Sequence, residues 1–337
     1  MNSVARMPAN ERALAFQATA ERKGLPDAVV EKDFWVCWSL KQLFSIEGLS
    51  TRLLFKGGTS LSKVFHAIDR FSEDIDIAVD YAALGFTGER DPRQPGISKT
   101  RRASILAEMM MECQSYIRGE FLEGLRTRCN EILPSDSGWE LEVAGTDPNV
   151  VLFRYPTAAA ERLAYIRPQV ILELGTHAEF VPRGRFSIRP FVAEEFPQFM
   201  PDGEARVEAI LAKRTFWEKV TILHAEYYRP EDKPLPGRYS RHYYDVAMLA
   251  GGSIAAEARA DAELLSQVVS HKEAFYPSGW ARYDLARRGT LRVSPTESRI
   301  AALRRDYRDM ADMIFGEQPS FELLLTKLAA LETELNF

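Results

Sequence analysis

The sequence predicts an α+β protein, with a mixed sheet flanked by helices in its N-terminal part and a helical C-terminal part. Short apolar runs with strand character fall between about residues 50 and 195, and helical periodicity dominates on either side of them. A Gly-Gly turn at 57–58 joins a strand directly to a helix, and an Asp-x-Asp strand follows at 74–76. A soft boundary near residue 200 divides a sheet domain, 1–200, from a helical domain, 201–337.

Residues 1–50 read as helical. The segment that opens with Glu31-Lys32-Asp33-Phe34-Trp35-Val36 sets Phe34, Cys37, Trp38 and Lys41 at helical spacing, the pattern of core packing. Leu53, Leu54 and Phe55 read as a short buried strand. Gly57-Gly58 lets the backbone turn and expose N–H groups beside a helix expected over Leu61–Ile68, a corner that suits an anion. On the next strand side chains alternate faces, so Asp74 and Asp76 share one side while Ile75 and Ile77 face the core. Two carboxylates that close repel unless a cation or a proton lies between them, and a hard divalent ion such as Mg²⁺ answers that need. Each half also has an ordinary explanation, a plain turn or a solvated strand edge.

A Gly- and Pro-containing loop is expected at about 81–96 and a helix over Thr100–Asn130. Strands at Trp139–Val143, Val150–Tyr155, Pro168–Leu174 and Phe186–Val192 complete the sheet. From Glu204 the pattern is helical almost to Phe337, broken at 229–237 and at Gly251-Gly252. Glu173 stands in the apolar run Val170–Leu174. A charge there is costly to bury unless it is paired, bound to metal, or facing water on an edge strand. Lys219 lies in a helix expected over Val207–Tyr227, on the face of Ala212, Phe216 and Leu223, where it either snorkels to solvent or offers a point charge to a phosphate. If its charge serves only a ligand, alanine at 219 is expected to leave the fold intact. Asp245, followed by Met248 and Leu249, starts on the buried side of its helix.

At 337 residues and 46% hydrophobic content the chain can bury a full core. Neither a secretory leader nor a stretch of membrane-spanning length is visible, and Cys37, Cys113 and Cys129 lack metal-ligand spacing. They read as buried thiols in a reducing cytoplasm. A net charge of −5 argues against coating nucleic acid nonspecifically. Any RNA would meet a local patch, either Lys99-Thr100-Arg101-Arg102 or the series Arg183, Arg185, Arg189; each is equally a solvated face. The histidines His66, His177, His224 and His271 show no ligand spacing, and neither a Ser-His-Asp wording nor a Walker lysine is present.

Lys56-Gly57-Gly58-Thr59-Ser60-Leu61 followed by Arg70-Phe71-Ser72-Glu73-Asp74-Ile75-Asp76 resembles the nucleotidyltransferase superfamily, and its wording is similar to the AbiEii/AbiGii-type toxin family. The Glu-Lys-Asp-aromatic-Trp-Val segment extends the resemblance upstream, and the likeness spans about residues 25–250. The resemblance implies a nucleotidyltransferase-like sheet, a C-terminal domain that completes an active-site cleft, and transfer of a nucleoside monophosphate from an NTP to a hydroxyl. It implies Asp74, Asp76 and Glu173 as holders of Mg²⁺ or Mn²⁺, with Glu173 alternatively deprotonating the hydroxyl. Gly57, Gly58 and Thr59 would cradle phosphates, with Lys56, Arg70 and Ser72 in support. Arg214-Thr215-Phe216-Trp217-Glu218-Lys219 is similar to the family's lysine motif, and Arg241-His242-Tyr243-Tyr244-Asp245 to its last motif. Lys219 would neutralise phosphate charge, and Asp245 would orient that lysine or an arginine. Two departures stand out. His242 replaces an Asp common among relatives, and the spacer between Gly58 and Asp74 is longer than in the superfamily at large, though shared by this toxin branch.

The biology implied is the toxin of a type IV toxin–antitoxin or abortive-infection pair. Its acceptor would be RNA, with tRNA a candidate, and its antitoxin a winged-helix DNA-binding protein that forms no stable complex. Two other readings stay open on residues alone: a phosphotransferase moving the γ-phosphate of ATP to protein, and a nucleotide-binding module without turnover.

Overall fold

Leu53, Leu54 and Phe55, buried apolar residues in a row, form most of an inner strand, β1 (Leu53–Lys56). The computed structural model describes residues 1–72, 74–158 and 167–337, so Glu73 of the Arg70–Asp76 motif lies outside the described residues. The remaining described strands are β2 (Asp74–Val79), β3 (Glu140–Val143), β4 (Val150–Arg154), β5 (Gln169–Gly175), β6 (Arg183–Ile188) and β7 (Ala205–Ile210). They form one mixed sheet in the order β3-β4-β5-β2-β1-β7-β6. β2 runs antiparallel to β1 and parallel to β5, β1 is parallel to β7, and β4 is antiparallel to β3 and β5. The Asp-x-Asp strand is therefore interior, flanked by β1 and β5.

The helices are α1 (Asn2–Ala5), α2 (Ala9–Lys23), α3 (Asp27–Leu43), α4 (Gly57–Lys63), α5 (Lys99–Tyr116), α6 (Leu122–Ile132), α7 (Phe191–Glu195), α8 (Ala212–Tyr227), α9 (Ser240–Leu249), α10 (Ser253–Ala260), α11 (Leu264–Phe275), α12 (Glu297–Asp309) and α13 (Phe321–Asn336). The chain packs as two compact units. The first is Met1–Val64, Ser72–Asp91 and Ala103–Ala209, and the second Phe65–Phe71, Pro92–Arg102 and Ile210–Phe337. Among the described residues no helix is long and apolar enough to cross a membrane.

In the first unit α3 is buried along almost its whole length. Trp35 and Trp38 stack on Tyr155 and Phe153 at 5.5 Å, and each fully buried ring of this size contributes about 2–3 kcal/mol. The charged residues of the same helix have fixed partners. Glu31 accepts from the Thr157 hydroxyl at 2.8 Å and the Ala158 N–H at 2.6 Å. Asp33 accepts from the Phe191 N–H at 2.6 Å and pairs with Lys63 of α4 at 2.7 Å, both side chains buried. Lys63 also lies over the Phe191 ring at 4.1 Å. One ion pair thus ties α4 to α3 and α7.

The α+β expectation holds, and four boundaries differ from the sequence reading. α4 begins at Gly57 and ends at Lys63 instead of covering 61–68, because the glycines themselves enter the first helical turn with Lys56 extended before them. The stretch expected to be helical from Glu204 begins with β7. Ala205, Val207 and Ala209 are buried while Arg206 and Glu208 are not, a strand's period of two, and the helix bearing Lys219 starts only at Ala212. The strand expected over 186–192 lies at 183–188, with Pro190 capping α7. The long helix over 100–130 is interrupted by a π turn at Ile117–Phe121 that contains Gly119.

Candidate active site

In the first unit the sheet register assembles a row of charges. Asp76 of β2 is the cross-strand partner of Lys56 on β1 and of Glu173 on β5. Registered neighbours share a face, and Asp74 lies two residues before Asp76 on that same face. Ile75 and Ile77 on the opposite face are fully buried. The Lys56 ammonium lies 3.8 Å from an Asp76 carboxylate oxygen. Glu173 is exposed on a strand with neighbours on both sides, so an edge-strand position does not account for it.

The glycine corner sits against this row. Gly57 has φ +78°, left-handed backbone that favours glycine, and a Cβ placed there would lie 1.8 Å from Asp76 Oδ2. The Asp76 carboxylate therefore occupies the space a side chain at 57 would take. Thr59 donates its hydroxyl to the Asp74 carbonyl, tying the first turn of α4 to the start of β2, and Ser60 donates to the Gly57 carbonyl at 2.9 Å. Gly58 and Thr59 are buried and Ser72 is half-buried just ahead of β2. With Thr59's hydroxyl engaged, the backbone N–H groups of the first helical turn are what this corner presents to an anion.

The donor set on this face is carboxylate oxygen, which fits a hard divalent cation. Mg²⁺ is commonly held by one or two carboxylates together with substrate phosphates rather than by an all-protein cage. Among the described residues no three His, Cys, Asp or Glu side chains converge as a metal cluster. Asp74, Asp76 and Glu173 are the residues that would contribute.

The second unit holds a buried cationic cluster. Asp245 on α9 is fully buried; it accepts from Arg70 Nε at 2.7 Å and Nη2 at 2.9 Å, and pairs with Lys219 of α8 at 2.7 Å. Burial pushes the Asp245 carboxyl up, but Arg70 and Lys219 overcome that effect and hold it well below the usual carboxylate range. The segment carrying Arg70 is fixed by its own backbone: Phe71 N–H donates to Met313 O at 2.6 Å, Phe315 N–H to Asp69 O at 2.9 Å, and Arg70 bridges Ile314. The start of α9 is fixed by Asp306 of α12, which accepts from the N–H groups of Arg238 and Ser240. Lys219 is therefore no snorkelling lysine; it is buried beside a carboxylate.

The sequence-predicted residues fall into these two groups. Lys56, Gly57, Gly58, Thr59, Ser72, Asp74, Asp76 and Glu173 belong to the first unit, and Arg70, Lys219 and Asp245 to the second. Sequence reasoning missed the bidentate bond between Arg70 and Asp245, which lie 175 positions apart, and the Asp33–Lys63 pair behind α4. It also passed over His242 as chemistry. Of the two basic patches, Arg183 and Arg185 are paired with Glu208, at 3.7 Å and 3.0 Å, and Arg189 donates to the Ala193 carbonyl. Arg102 of the other patch donates to the Pro92 carbonyl, while Lys99 is exposed. The three cysteines are buried thiols, and burial pushes Cys113 up to about 11 and Cys129 up to about 12.

The profile of the family described as "Nucleotidyl transferase AbiEii toxin, Type IV TA system" matches residues 38–327. Among solved structures, MenT4, the nucleotidyltransferase toxin Rv2826c from Mycobacterium tuberculosis H37Rv, shares 17% identity over 96% of this chain and 97% of that chain, with a TM-score of 0.45. That likeness is too distant to bear on function. No curated protein matches the chain. The family match runs from within α3 to within α13 and takes in every candidate residue from Lys56 to Asp245, so the chain belongs to the AbiEii nucleotidyl transferase toxin family of type IV toxin–antitoxin systems.

Proposed function

We propose that this toxin transfers a nucleoside monophosphate from an NTP to a hydroxyl of RNA, with tRNA a candidate acceptor, in a reaction that requires Mg²⁺ or Mn²⁺. The observation that carries the proposal is the cross-strand row Lys56–Asp76–Glu173 set against Gly57, where the Asp76 carboxylate fills the space of a missing side chain. Asp74 and Asp76 would hold the metal, which supplies positive charge against the triphosphate. Backbone N–H groups of Gly57, Gly58 and Thr59 receive phosphate oxygens, and Lys56 and Ser72 support them. Glu173, exposed and in register with Asp76, takes the proton of the attacking hydroxyl. The hydroxyl oxygen bonds to the α-phosphorus, the α–β anhydride bond breaks, and pyrophosphate leaves.

Lys219 and Arg70 supply positive charge for the phosphates in this reading, and Asp245 holds both cations in place as a positioning residue. The type IV family assignment implies an antitoxin, here proposed to be a winged-helix DNA-binding protein. Purified protein given Mg²⁺, total RNA and NTPs labelled at the α-phosphorus is expected to label small RNA and to release pyrophosphate. Label that reaches product only from γ-labelled ATP, and on protein, would overturn the proposal in favour of phosphotransfer.

A further inference from the structure

His242 shares the cationic cluster of the second unit without sharing its hydrogen bonds. It lies one helical turn before Asp245 on α9, so the two occupy neighbouring positions on one face of the helix. Its Nδ1 is completely buried and has no hydrogen-bond partner among the described residues, whereas Arg70 and Lys219 both pair with Asp245. Tyr239 packs edge-on against its ring, centroids 4.9 Å apart. A buried ring nitrogen left unpartnered beside a satisfied network costs free energy unless something binds there.

The surrounding charge determines what that something is. Among the charged groups that act on His242 are Lys219 from α8, Arg241 and Asp245 from α9, and Arg70 from the 65–71 segment. Burial, with Lys219 and Arg241 beside it, holds the imidazole well below its ordinary value, so the ring is neutral in the free protein. A polyanion bound against Lys219 and Arg70 reverses the sign of that local field. The part of that shift contributed by the surrounding cations is then offset, and an imidazolium N–H becomes the better partner for a phosphate oxygen.

We propose that His242 is a phosphate-responsive residue of the toxin: it takes up a proton from solvent when a nucleotide triphosphate binds against Lys219 and Arg70, and then donates a hydrogen bond from Nδ1 to a phosphate oxygen. The proposal rests on the nucleotide-binding role given above to Lys219 and Arg70. No bond other than N–H forms, and the proton comes from water or buffer. The consequence is a contribution to nucleotide affinity, made by His242, that strengthens as pH falls.

The test is calorimetric titration of the wild-type protein with the α,β-methylene analogue of each NTP plus Mg²⁺ at pH 7, in two buffers of widely different ionisation enthalpy. The difference between buffers gives protons taken up per nucleotide. Wild type is expected to take up about half to one proton more than His242→Gln, whose amide retains hydrogen-bonding capacity. Subtracting the variant removes proton changes on the analogue's own phosphate. Equal uptake in the two proteins, with binding intact, overturns the role of His242 alone. If no analogue binds, or if Lys219→Ala binds as tightly as wild type, the nucleotide reading of the cluster fails and the inference with it. A reading independent of any variant's folding comes from NMR of histidine ring ¹³Cε1 in the wild type. The chain has 5 histidines, and one of them should shift to the imidazolium position on adding the analogue. Five unmoved signals overturn the proposal.

Discussion

Gly57→Ala separates a backbone effect from a chemical one, because a second glycine supplies the control. Gly57 and Gly24 both have left-handed backbone, φ +78° and φ +65°. A Cβ on Gly24, the C-cap of α2, would meet nothing within 4 Å, so Gly24→Ala incurs only the conformational penalty of about 1–2 kcal/mol. A Cβ on Gly57 would lie 1.8, 2.5 and 2.9 Å from Asp76 Oδ2, Cγ and Cβ. Since Asp76's own Cβ is inside that contact, rotating the carboxylate away does not relieve it fully and the backbone of β2 must give as well. Overpacking of this kind adds about 1–3 kcal/mol to the same conformational term. For a unit of this size Tm falls by about 2–4 °C per kcal/mol, so Gly24→Ala should melt a few degrees lower and Gly57→Ala roughly twice as far down.

The difference in activity should far exceed the difference in stability. A displacement of about 1 Å in a carboxylate with the metal-holding role proposed for Asp76 lowers a rate by about a hundredfold, whereas Gly24 touches no candidate residue. Transfer of α-labelled nucleotide to RNA, measured well below both melting transitions, should be close to wild type for Gly24→Ala and reduced at least about a hundredfold for Gly57→Ala. Activity in Gly57→Ala within about threefold of Gly24→Ala would show that the position of the Asp76 carboxylate does not matter, which removes the observation on which the proposed mechanism stands.

Other outcomes follow from the same geometry. Lys219→Ala should lose transfer and also about 1–3 kcal/mol of stability, because buried Asp245 keeps only Arg70; this reverses the sequence-based expectation of a neutral fold, and an unchanged Tm would contradict it. Asp245 has a folded pKa below its unfolded one, so its stabilisation is fully present above about pH 4 and is lost as pH falls below that, and urea titrations from pH 6 to pH 3 should show a shallower acid decline in Asp245→Asn than in wild type. Wild type should gain up to about 2–3 kcal/mol on adding Mg²⁺ and NTP at a hundred times Kd, and Asp76→Asn should gain far less; a wild-type melt indifferent to both additions would count against metal–nucleotide binding. Asp33→Ala leaves Lys63 buried without its carboxylate and should lower stability by about 3–5 kcal/mol by chemical denaturation.

The sheet face was legible because its information is local. Alternation alone assigns Asp74 and Asp76 to one side of β2 and Ile75 and Ile77 to the other, and the structure buries both isoleucines. Pairing β2 with β5 in a register that sets Asp76 opposite Glu173 is a long-range fact, and residue patterning offered only the hint of a charge inside an apolar run. β7 was missed although its alternation is visible at 205–209, since the helical pattern that begins at Ala212 dominated the window. The interruption at Ile117–Phe121 left no stronger mark than one glycine.

Arg70 shows why the rest could not be read. In sequence it stands two residues before Ser72 and four before Asp74, and nearness along the chain suggests one site for all three. In the structure the chain enters the second unit at Phe65 and returns to the first at Ser72, so Arg70 and Asp74 fall in different units although only four positions separate them. Its guanidinium is committed to Asp245 through two bonds, and its backbone to the 313–315 segment. Lys219 pairs with the same carboxylate, so Asp245 holds two cations that come from different parts of the chain. Removing Asp245 would leave two buried cations to repel each other. Asp245 is thus what holds the two cations side by side, a role that lies in the pairing of residues 175 positions apart and not in any one motif.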